Sequence, residues 1–292
     1  MPTMMRQLLE PTWTKCSWKD EPQLNVVDHL KKTRMNGQSK MGRSGVDYSY
    51  SEAKDRIAMI MPVYNEADTI ESTITELYGK VAGKMANLDI WVFEDGSTDG
   101  TKEVLEKLRK KFPNLHAEMT KGKKGYPRAM KEAFLSIDPS GYEYVVAIDS
   151  DGQYEPDDFF ELWQVMQRDS PDVVMGRRMA RKEPPYRKLL SRGLQVLERI
   201  MFPVKCKDVT SVMRLMKVSL AHEIAKEVKY SPYNFWLEFT ARMSLKDYEV
   251  VEIPIDYRER AGGSKVYSPK KMPKIILSEF RALRAVRREQ AN

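Results

Sequence analysis

The chain has 292 residues, of which 41% are hydrophobic and 31% are charged, and its formal net charge is +7. This composition allows one large or two modest cores, and no apolar run approaches the ~18 residues of a membrane span. Only two cysteines, Cys16 and Cys206, are present, which excludes a disulfide framework and fits a reducing cytosol. Three widely separated histidines argue against a His/Cys zinc site.

Strand and helix patterns alternate from Arg56 onwards. The polar residues 1–55 are predicted to form a partly flexible N-terminal extension. Helices are predicted at about 66–81, 99–111 and 156–168, between four apolar runs that are predicted to be strands: "IAMIMPVY", "LDIWVFED", "YVVAIDSD" and "DVVMG". The alternation predicts a doubly wound α/β domain with a mostly parallel central sheet. Because the strands are continuously apolar, helices are expected on both faces.

The pattern is less regular after Gly176. Helices are predicted near 186–201, 218–228 and 234–245, and strands near 212–216 and in "EVVEIPIDYRER". Residues 268–292 contain seven Lys or Arg and two acidic residues. They form a predicted basic amphipathic helix, with Met272, Ile276, Phe280 and Leu283 on one side and Lys274, Arg281, Arg284 and Arg288 on the other. Such a helix either lies on an anionic membrane surface or docks on the protein body or at a dimer contact.

Three of the predicted strands end in polar motifs, which are "PVYNE" (62–66), "FEDGSTDGT" (93–101) and "DSDGQ" (149–153). Ligands of open α/β sheets bind outside the carboxyl ends of the strands, so the three motifs are expected at one edge. Asp149 and Asp151 offer the carboxylate oxygens that Mg²⁺ or Mn²⁺ prefers. Asp-Ser-Asp-Gly also has good turn chemistry without a metal. The acidic motif on the neighbouring strand favours the metal site.

Two other motifs have competing interpretations. Asp95, Ser97, Asp99, Gly100 and Glu106 fall at positions 1, 3, 5, 6 and 12 of an EF-hand calcium loop. The run before Asp95 predicts a strand instead of the helix that an EF-hand requires, and Asp99 is expected to cap the following helix. "GGSK" lacks the spacing of a phosphate-binding P-loop, but its glycines suit a mobile loop beside a ligand.

The ordered motifs "MIMPVYNE", "EDGSTDGT", "DSDGQYEP", "MGRR", "YRKLLSRG" and "RERAGGSK" resemble family 2 glycosyltransferases with the GT-A fold. They are most similar to polyprenyl-phosphate sugar synthases of the dolichyl-phosphate mannose synthase type. The resemblance covers residues 56–267, leaving 268–292 as a separate C-terminal helix. It implies a nucleotide-sugar donor, a divalent metal ion and inversion at the anomeric carbon.

The resemblance also implies roles for individual residues. The expected catalytic residues are Asp151, Arg178 and Arg187; with Ser191, the two arginines match positions that receive the acceptor's phosphate. Asp149, Asp151 and Gln153 match the metal motif. Arg260 and Lys265 match a flexible loop that covers the donor. Five residues are expected to line the nucleotide pocket: Pro62, Tyr64, Glu66, Glu94 and Asp95.

This sequence departs from the family pattern at several places. Glu94 and Val212 stand where Asp and Gly are more common in the family. The loop "RERAGGSK" differs by one residue in spacing from the family's R-x-x-G-x-S-K pattern, so either Arg258 or Arg260 takes the role of the loop arginine. Residues 1–55 have no counterpart, and membrane helices of many relatives are absent.

The resemblance predicts a metal-dependent transferase that moves mannose from GDP-mannose to a polyprenyl or dolichyl phosphate. The expected location is cytoplasmic, peripheral on the membrane. A UDP-sugar donor such as UDP-glucose, used with a lipid-phosphate or saccharide acceptor, is the nearest alternative. A basic non-enzymatic binder of membranes or nucleic acid is the remote alternative. Nucleic acid is not expected as a partner, because the core is charge-neutral and the basic tail lacks interleaved aromatic residues.

Overall fold

A seven-stranded sheet organises the part of the chain that the computed structural model describes, which is residues 55–179, 185–259 and 271–291. For residues 185–188 and 190 the description covers the backbone alone. The strands are β1 (Ile57–Val63), β2 (Leu88–Glu94), β3 (Leu115–Met119), β4 (Tyr144–Ala147), β5 (Val173–Arg178), β6 (Arg214–Lys217) and β7 (Val250–Ile255). The helices are α1 (Ile70–Lys80), α2 (Thr101–Lys111), α3 (Tyr126–Ser136), α4 (Asp158–Asp169), α5 (Pro185–Met201), α6 (Val218–Glu227), α7 (Phe235–Ser244) and α8 (Met272–Ala291).

The strand order is β3-β2-β1-β4-β6-β5-β7. All neighbouring strands are parallel except β6, which runs antiparallel to both β4 and β5. The predicted mostly parallel α/β sheet is therefore confirmed. The reversal at β6 places the chain before it, residues 208–213, at the same edge of the sheet as the ends of β4 and β5.

Burial of the central strand shows why the sheet is covered on both faces. All seven residues of β1 are buried, whereas a strand with one solvated face would alternate between buried and exposed. The covering helices are amphipathic: α1 buries Ile70, Ile74 and Leu77, which recur at helical spacing. The strong apolar runs of the sequence therefore form the core of the sheet.

Two elements were not predicted from the sequence. The strand β3 lies at the edge of the sheet and pairs only with β2 among the described strands, so most of its side chains are half-buried or exposed. Its sequence, "LHAEM", lacks a continuous apolar run. The helix α3 begins with Tyr-Pro and buries mainly small or flexible side chains, including Ala129, Met130 and Ala133. β3 therefore lacks the pattern on which strand prediction depends. The buried residues of α3, which also include Phe134, recur at helical spacing, so this helix could have been predicted from the sequence.

The C-terminal helix α8 packs against α5 and α7. Its buried face comprises Ile275, Glu279, Ala282, Leu283 and Val286. The four apolar residues predicted to share a face are divided by this packing, because Leu283 is buried whereas Ile276 and Phe280 are exposed. The helix therefore docks on the body and still presents apolar side chains outwards.

The predicted N-terminal extension lies outside the described residues, apart from Asp55. Within the described ranges, no helix combines the length and the apolar character needed to cross a membrane.

Candidate active site

The loops that follow β1 and β2 interlock at the carboxyl edge of the sheet. The amide of Asn65 donates to Ser97 Oγ over 2.9 Å, and the amide of Thr98 donates to Asn65 Oδ1 over 2.9 Å. Asn65 has a left-handed backbone with φ of 55°, which asparagine tolerates better than most residues. The amide of Glu66 donates to Thr101 Oγ1 over 3.0 Å. The structure thus brings together "PVYNE" and "EDGSTDGT", as the convergence of strand ends predicts.

Pro62 and Tyr64 occupy the end of β1 and the start of its loop. Pro62 is buried opposite Phe93 of β2, beyond the last residue of β1 that pairs with β4. Tyr64 is half-buried, and Lys123 Nζ lies 3.6 Å from the centroid of its ring. Sequence reasoning missed Lys123, for which the only signal is the Gly/Lys-rich run "KGKKG". The contact places a cation at the edge predicted to hold a nucleotide diphosphate.

Glu94 and Asp95 are both buried at the end of β2. Glu94 accepts a hydrogen bond from the Ser97 amide through Oε1, and its Oε2 lies 3.6 Å from Lys102 Nζ. The Asp95 carboxylate accepts the amides of Lys124 and Gly125 over 2.7 and 2.8 Å. Both residues shape the loops of the predicted nucleotide pocket, and their direct contact with a nucleotide stays a prediction.

Close packing explains the glycine that follows Asp95. Gly96 has φ of 73°, and a Cβ built there would lie 2.4 Å from the carbonyl carbon of Gly122. Any side chain would therefore separate the loop after β2 from the loop that leads into α3.

The calcium-loop alternative does not fit this geometry. The strand β2 precedes Asp95 where an EF-hand has a helix. Glu106, the expected last ligand, lies on the surface of α2 and pairs with Arg109 over 3.2 Å. Asp99 accepts hydrogen bonds from the amide and hydroxyl of Thr101, the first residue of α2. The N-cap position itself is Gly100, so Asp99 acts one residue before the position predicted for a capping side chain.

The Asp149–Gln153 motif forms a turn directly after β4. Asp149 Oδ1 lies 3.5 Å from the hydroxyl of Tyr126, and Asp151 Oδ1 accepts the amide of Gln153 over 3.2 Å. Gly152, with φ of 69°, permits the turn. Gln153 Oε1 accepts the Tyr257 hydroxyl over 3.0 Å. Because an amide oxygen has two lone pairs, this bond leaves Gln153 able to accept a second partner.

These donors fit a hard divalent cation. Asp149 and Asp151 are both half-buried, so a ligand from solvent can reach them although they are partly shielded from water. No cluster of three or more His, Cys, Asp or Glu side chains suited to a metal occurs in the part of the chain that the structure describes. A site with two carboxylates takes its remaining oxygens from water and a substrate diphosphate, which is how Mg²⁺ is commonly held.

Arg178 ends β5 and is held by the segment before β6. Its Nε and Nη2 each donate to the carboxylate of Asp208 over 2.8 Å, and Nη2 also donates to Thr210 Oγ1 over 2.8 Å. Burial alone would lower the pKa of Arg178, but Tyr154 and Asp208 raise it well above its ordinary value. Arg178 is therefore a buried, permanently charged group with a built-in counter-ion. Asp208 was not predicted from the sequence, where it is one acidic residue among many.

The helix α5 carries the other predicted acceptor residues. Arg187 and Ser191 are four residues apart in one helix, which places them on the same face. Ser191 is half-buried, whereas the side chain of Arg187 is outside the description. Arg260 and Lys265 both lie outside the described residues.

Comparison with known proteins identifies the class of this site. Residues 58–225 match glycosyl transferase family 2, and the chain belongs to that family. It is thus a glycosyltransferase, as the motifs predicted, and the non-enzymatic alternative is wrong.

The chain is 26% identical over 219 residues to the undecaprenyl-phosphate mannosyltransferase of Micrococcus luteus, covering 73% of this chain and 88% of that protein. It is 29% identical over 213 residues to the dolichol-phosphate mannosyltransferase of Pyrococcus furiosus, covering 71% of this chain and 58% of that protein.

The fold is similar to that of glucosyl-3-phosphoglycerate synthase from Mycobacterium tuberculosis, with a TM-score of 0.59 and 17% identity, covering 79% of this chain and 81% of that chain. The predicted GT-A fold is confirmed.

Proposed function

We propose that this chain transfers mannose from GDP-mannose to a polyprenyl or dolichyl phosphate, with inversion at the anomeric carbon. The observation that carries the proposal is the arrangement at one edge of the sheet. The acidic turn at Asp149 and Asp151 suits a metal-bound diphosphate, while Arg178 and α5 supply groups for a second phosphate. The names of the relatives from Micrococcus luteus and Pyrococcus furiosus support the same reaction.

The donor would bind between the loops after β1, β2 and β4. Pro62, Tyr64, Glu66, Glu94 and Asp95 would line or shape the nucleotide pocket. Lys123 adds a positive charge near Tyr64, where it would offset diphosphate charge.

Asp149, Asp151 and Gln153 would hold Mg²⁺ or Mn²⁺, which when bound supplies Lewis-acid stabilisation of the departing diphosphate. Solved relatives with the same fold contain Mn²⁺ or Mg²⁺ together with UDP, which supports a divalent ion here.

The acceptor phosphate would bind near Arg178, Arg187 and Ser191. A phosphate oxygen is already anionic at neutral pH, so its attack on the sugar requires no strong general base. Arginine suits this role because its guanidinium is always charged and forms strong hydrogen bonds to phosphate. Arg178 would offer Nη1, since its Nε and Nη2 already donate to Asp208. The Asp208 carboxylate fixes the orientation of the Arg178 guanidinium before the acceptor binds. Acceptor binding would therefore not have to pay the entropy cost of ordering this side chain.

A lipid acceptor requires contact with a membrane, and two neighbouring helices offer a suitable surface. On α5, Leu189, Val196 and Ile200 are 73%, 55% and 75% exposed although they are large apolar side chains. On α8, which packs against α5, Ile276, Leu277 and Phe280 are also exposed. We call these six residues the apolar surface.

Basic residues lie beside the apolar surface on α8. Arg281, Arg284 and Arg288 line an open pocket of about 520 Å³ together with Tyr230 and Glu289. Exposed apolar side chains next to arginines are typical of a helix at an anionic membrane surface. The enzyme would therefore act as a peripheral protein on the cytoplasmic face.

Donor binding and transfer together test this function. Calorimetry with Mn²⁺ should show GDP or GDP-mannose binding at least about tenfold tighter than UDP or UDP-glucose, which corresponds to roughly 1.4 kcal/mol. Radiolabelled mannose should then appear on a short polyprenyl phosphate. The alternative donor has a specific basis, since glucosyl-3-phosphoglycerate synthase has been solved with UDP-glucose. Tighter binding of UDP-glucose, with transfer of glucose, would replace the mannosyl proposal with that alternative.

A further inference from the structure

Four charged side chains form a network behind the Asp149–Gln153 turn, which we call the Arg258 cluster: Arg258, Glu76, Glu155 and Lys80. Arg258 Nη1 and Nη2 donate to the two carboxylate oxygens of Glu76 over 2.8 and 2.9 Å. Arg258 Nε donates to Glu155 Oε2 over 3.1 Å. Lys80 Nζ lies 2.5 Å from Glu155 Oε1 and 2.8 Å from Glu76 Oε1. The cluster thus joins α1, the segment after the acidic turn and the segment after β7.

The backbone of Arg258 also contacts the turn directly. Its amide donates to the Gln153 carbonyl over 2.7 Å, and Gln153 Nε2 donates back to the Arg258 carbonyl over 3.1 Å. The preceding residue, Tyr257, donates its hydroxyl to Gln153 Oε1. Residues 257 and 258 therefore hold both the main chain and the side chain of Gln153, two positions after Asp151.

The geometry differs from that of an ordinary surface salt bridge. Isolated exposed pairs contribute little, because solvent screens them and both side chains lose freedom. Here Arg258 makes a two-point contact with Glu76, and all three guanidinium nitrogens donate to carboxylates. The same contact holds the pKa of Glu76 down to about 2. A donor phosphate could recruit this guanidinium only by breaking contacts that already exist.

We infer that Arg258 is a positioning residue that holds the Asp149–Gln153 turn against α1, and that it does not itself bind the donor. The inference rests on the proposed function only for what the turn does, which is to bind metal and diphosphate. Of the two arginines that could take the loop role, Arg260 then remains the candidate for contact with the donor.

Glu76 provides the decisive variant, because it lies on α1 and its contacts among the described residues, to Arg258 and Lys80, belong to the Arg258 cluster. If Arg258 positions the turn, Glu76→Gln and Arg258→Gln should each weaken GDP binding in the presence of Mn²⁺ by about threefold to tenfold. The double variant should bind GDP no more weakly than the more weakly binding single variant, because both changes remove the same Arg258–Glu76 interaction. Arg258→Lys should be intermediate, since lysine keeps the charge but loses the two-point contact.

A donor-binding role for Arg258 predicts the opposite pattern. Arg258→Gln would then weaken GDP binding, whereas Glu76→Gln would leave it unchanged or tighten it by releasing the guanidinium. That result would overturn the inference. The matched control is Glu223→Gln, which removes a carboxylate held by Lys246 and Tyr248 on the surface of α6. It should not change GDP affinity.

Hydrogen exchange in the substrate-free protein separates this inference from the proposed function. The Gln153 amide donates to Asp151 Oδ1, and the Arg258 amide donates to the Gln153 carbonyl. If the Arg258 cluster holds the turn, Glu76→Gln should speed exchange in peptides covering 149–157 and 250–259. Peptides from α6 should not change. Faster exchange would support the positioning role even if GDP were not the nucleotide bound. Unchanged exchange in both peptides would overturn it.

Discussion

The carboxylate of Asp208 binds the guanidinium of Arg178 through two hydrogen bonds of 2.8 Å, and the two side chains are only 3% and 9% exposed. The Arg178 amide also donates to Asp208 over 3.2 Å. The pair joins the end of β5 to the segment before β6. Removing one member of a buried pair leaves the other charge uncompensated, which is far more costly than the pair is stabilising.

We therefore expect Asp208→Asn to lower the free energy of unfolding by about 3–5 kcal/mol, measured by urea denaturation. Glu106→Gln is the control, because Glu106 also pairs with an arginine but is 51% exposed. It should cost less than about 1 kcal/mol. Equal losses of unfolding free energy in Asp208→Asn and Glu106→Gln would show that removing Asp208 does not leave a costly buried charge on Arg178.

Replacement of the acidic turn residues tests the metal proposal. Asp149→Asn and Asp151→Asn should each weaken GDP binding measured at fixed Mn²⁺, because an amide cannot replace the charge of a carboxylate ligand. Binding measured without a divalent ion should change much less. Glu106→Gln again serves as the control. Full activity and unchanged Mn²⁺ dependence in both aspartate variants would contradict the assignment.

Much of the fold follows from patterns that the sequence shows directly. The runs "IAMIMPVY" and "LDIWVFED" predict β1 and β2 to within one residue, because fully buried strands are continuously apolar. The helix after β1 begins at Ile70 instead of the predicted Glu66, since residues 66–69 first form a turn in which the Glu66 carbonyl accepts the amides of Thr69 and Ile70. Such boundaries depend on local hydrogen bonds that periodicity does not reveal.

The site is less completely predictable. The sequence predicts that "PVYNE", "FEDGSTDGT" and "DSDGQ" lie at one edge of the sheet, because each follows a strand. The parallel pairing of β1 with β2 and β4 places the carboxyl ends of all three strands at that edge. Asp208 and Glu76 could not be found in the same way. Each acts through a partner at least 30 residues away, Arg178 or Arg258, and neither lies in a local motif. Long-range charge pairing requires the tertiary structure.

Arg187 and Ser191 are predicted to act on the acceptor and not on the donor. Arg187→Gln should reduce transfer to a short polyprenyl phosphate by roughly ten- to a hundredfold, in line with loss of a charge-assisted contact. Ser191→Ala should have a smaller effect of the same kind. GDP binding without acceptor should remain normal in both. Arg192→Gln, an exposed neighbour on α5, is the matched control. A loss of GDP binding in Arg187→Gln would assign that arginine to the donor site.

The apolar surface should bind anionic membranes. Replacing Ile276, Leu277 and Phe280 together by serine should reduce sedimentation with vesicles that contain anionic phospholipid, and added salt should weaken binding of the unaltered protein. Replacing Arg281, Arg284 and Arg288 by glutamine should remove the preference for anionic over zwitterionic vesicles. The control is the same number of charge changes at Lys107, Lys110 and Lys111 on α2, which are exposed but lack apolar neighbours of this kind. Equal vesicle binding by all variants would contradict membrane contact through this surface.

Two glutamates should give opposite dependences of stability on pH. Glu198 of α5 is fully buried, and neither of its carboxylate oxygens has a hydrogen-bond partner among the described residues. Burial raises its pKa well above the ordinary value, although Arg214 and Arg199 lower it in part. Glu76 is the reverse case, since its bonds to Arg258 lower its pKa to about 2.

The sign for each glutamate follows from which state binds more protons. For Glu198 the folded state binds more, so its contribution is fully present below pH about 4.5 and is lost as the pH rises through the raised pKa. For Glu76 the unfolded state binds more, so its contribution is present above pH about 4.5 and is lost as the pH falls towards 2.

Urea denaturation of the unaltered protein, Glu198→Gln and Glu76→Gln from pH 3 to 8 measures both effects. Relative to the unaltered protein, Glu198→Gln should gain stability as the pH rises. Glu76→Gln should be less stable at neutral pH and should approach the unaltered protein in acid. Parallel curves for all three proteins would show that neither carboxyl group has the environment described.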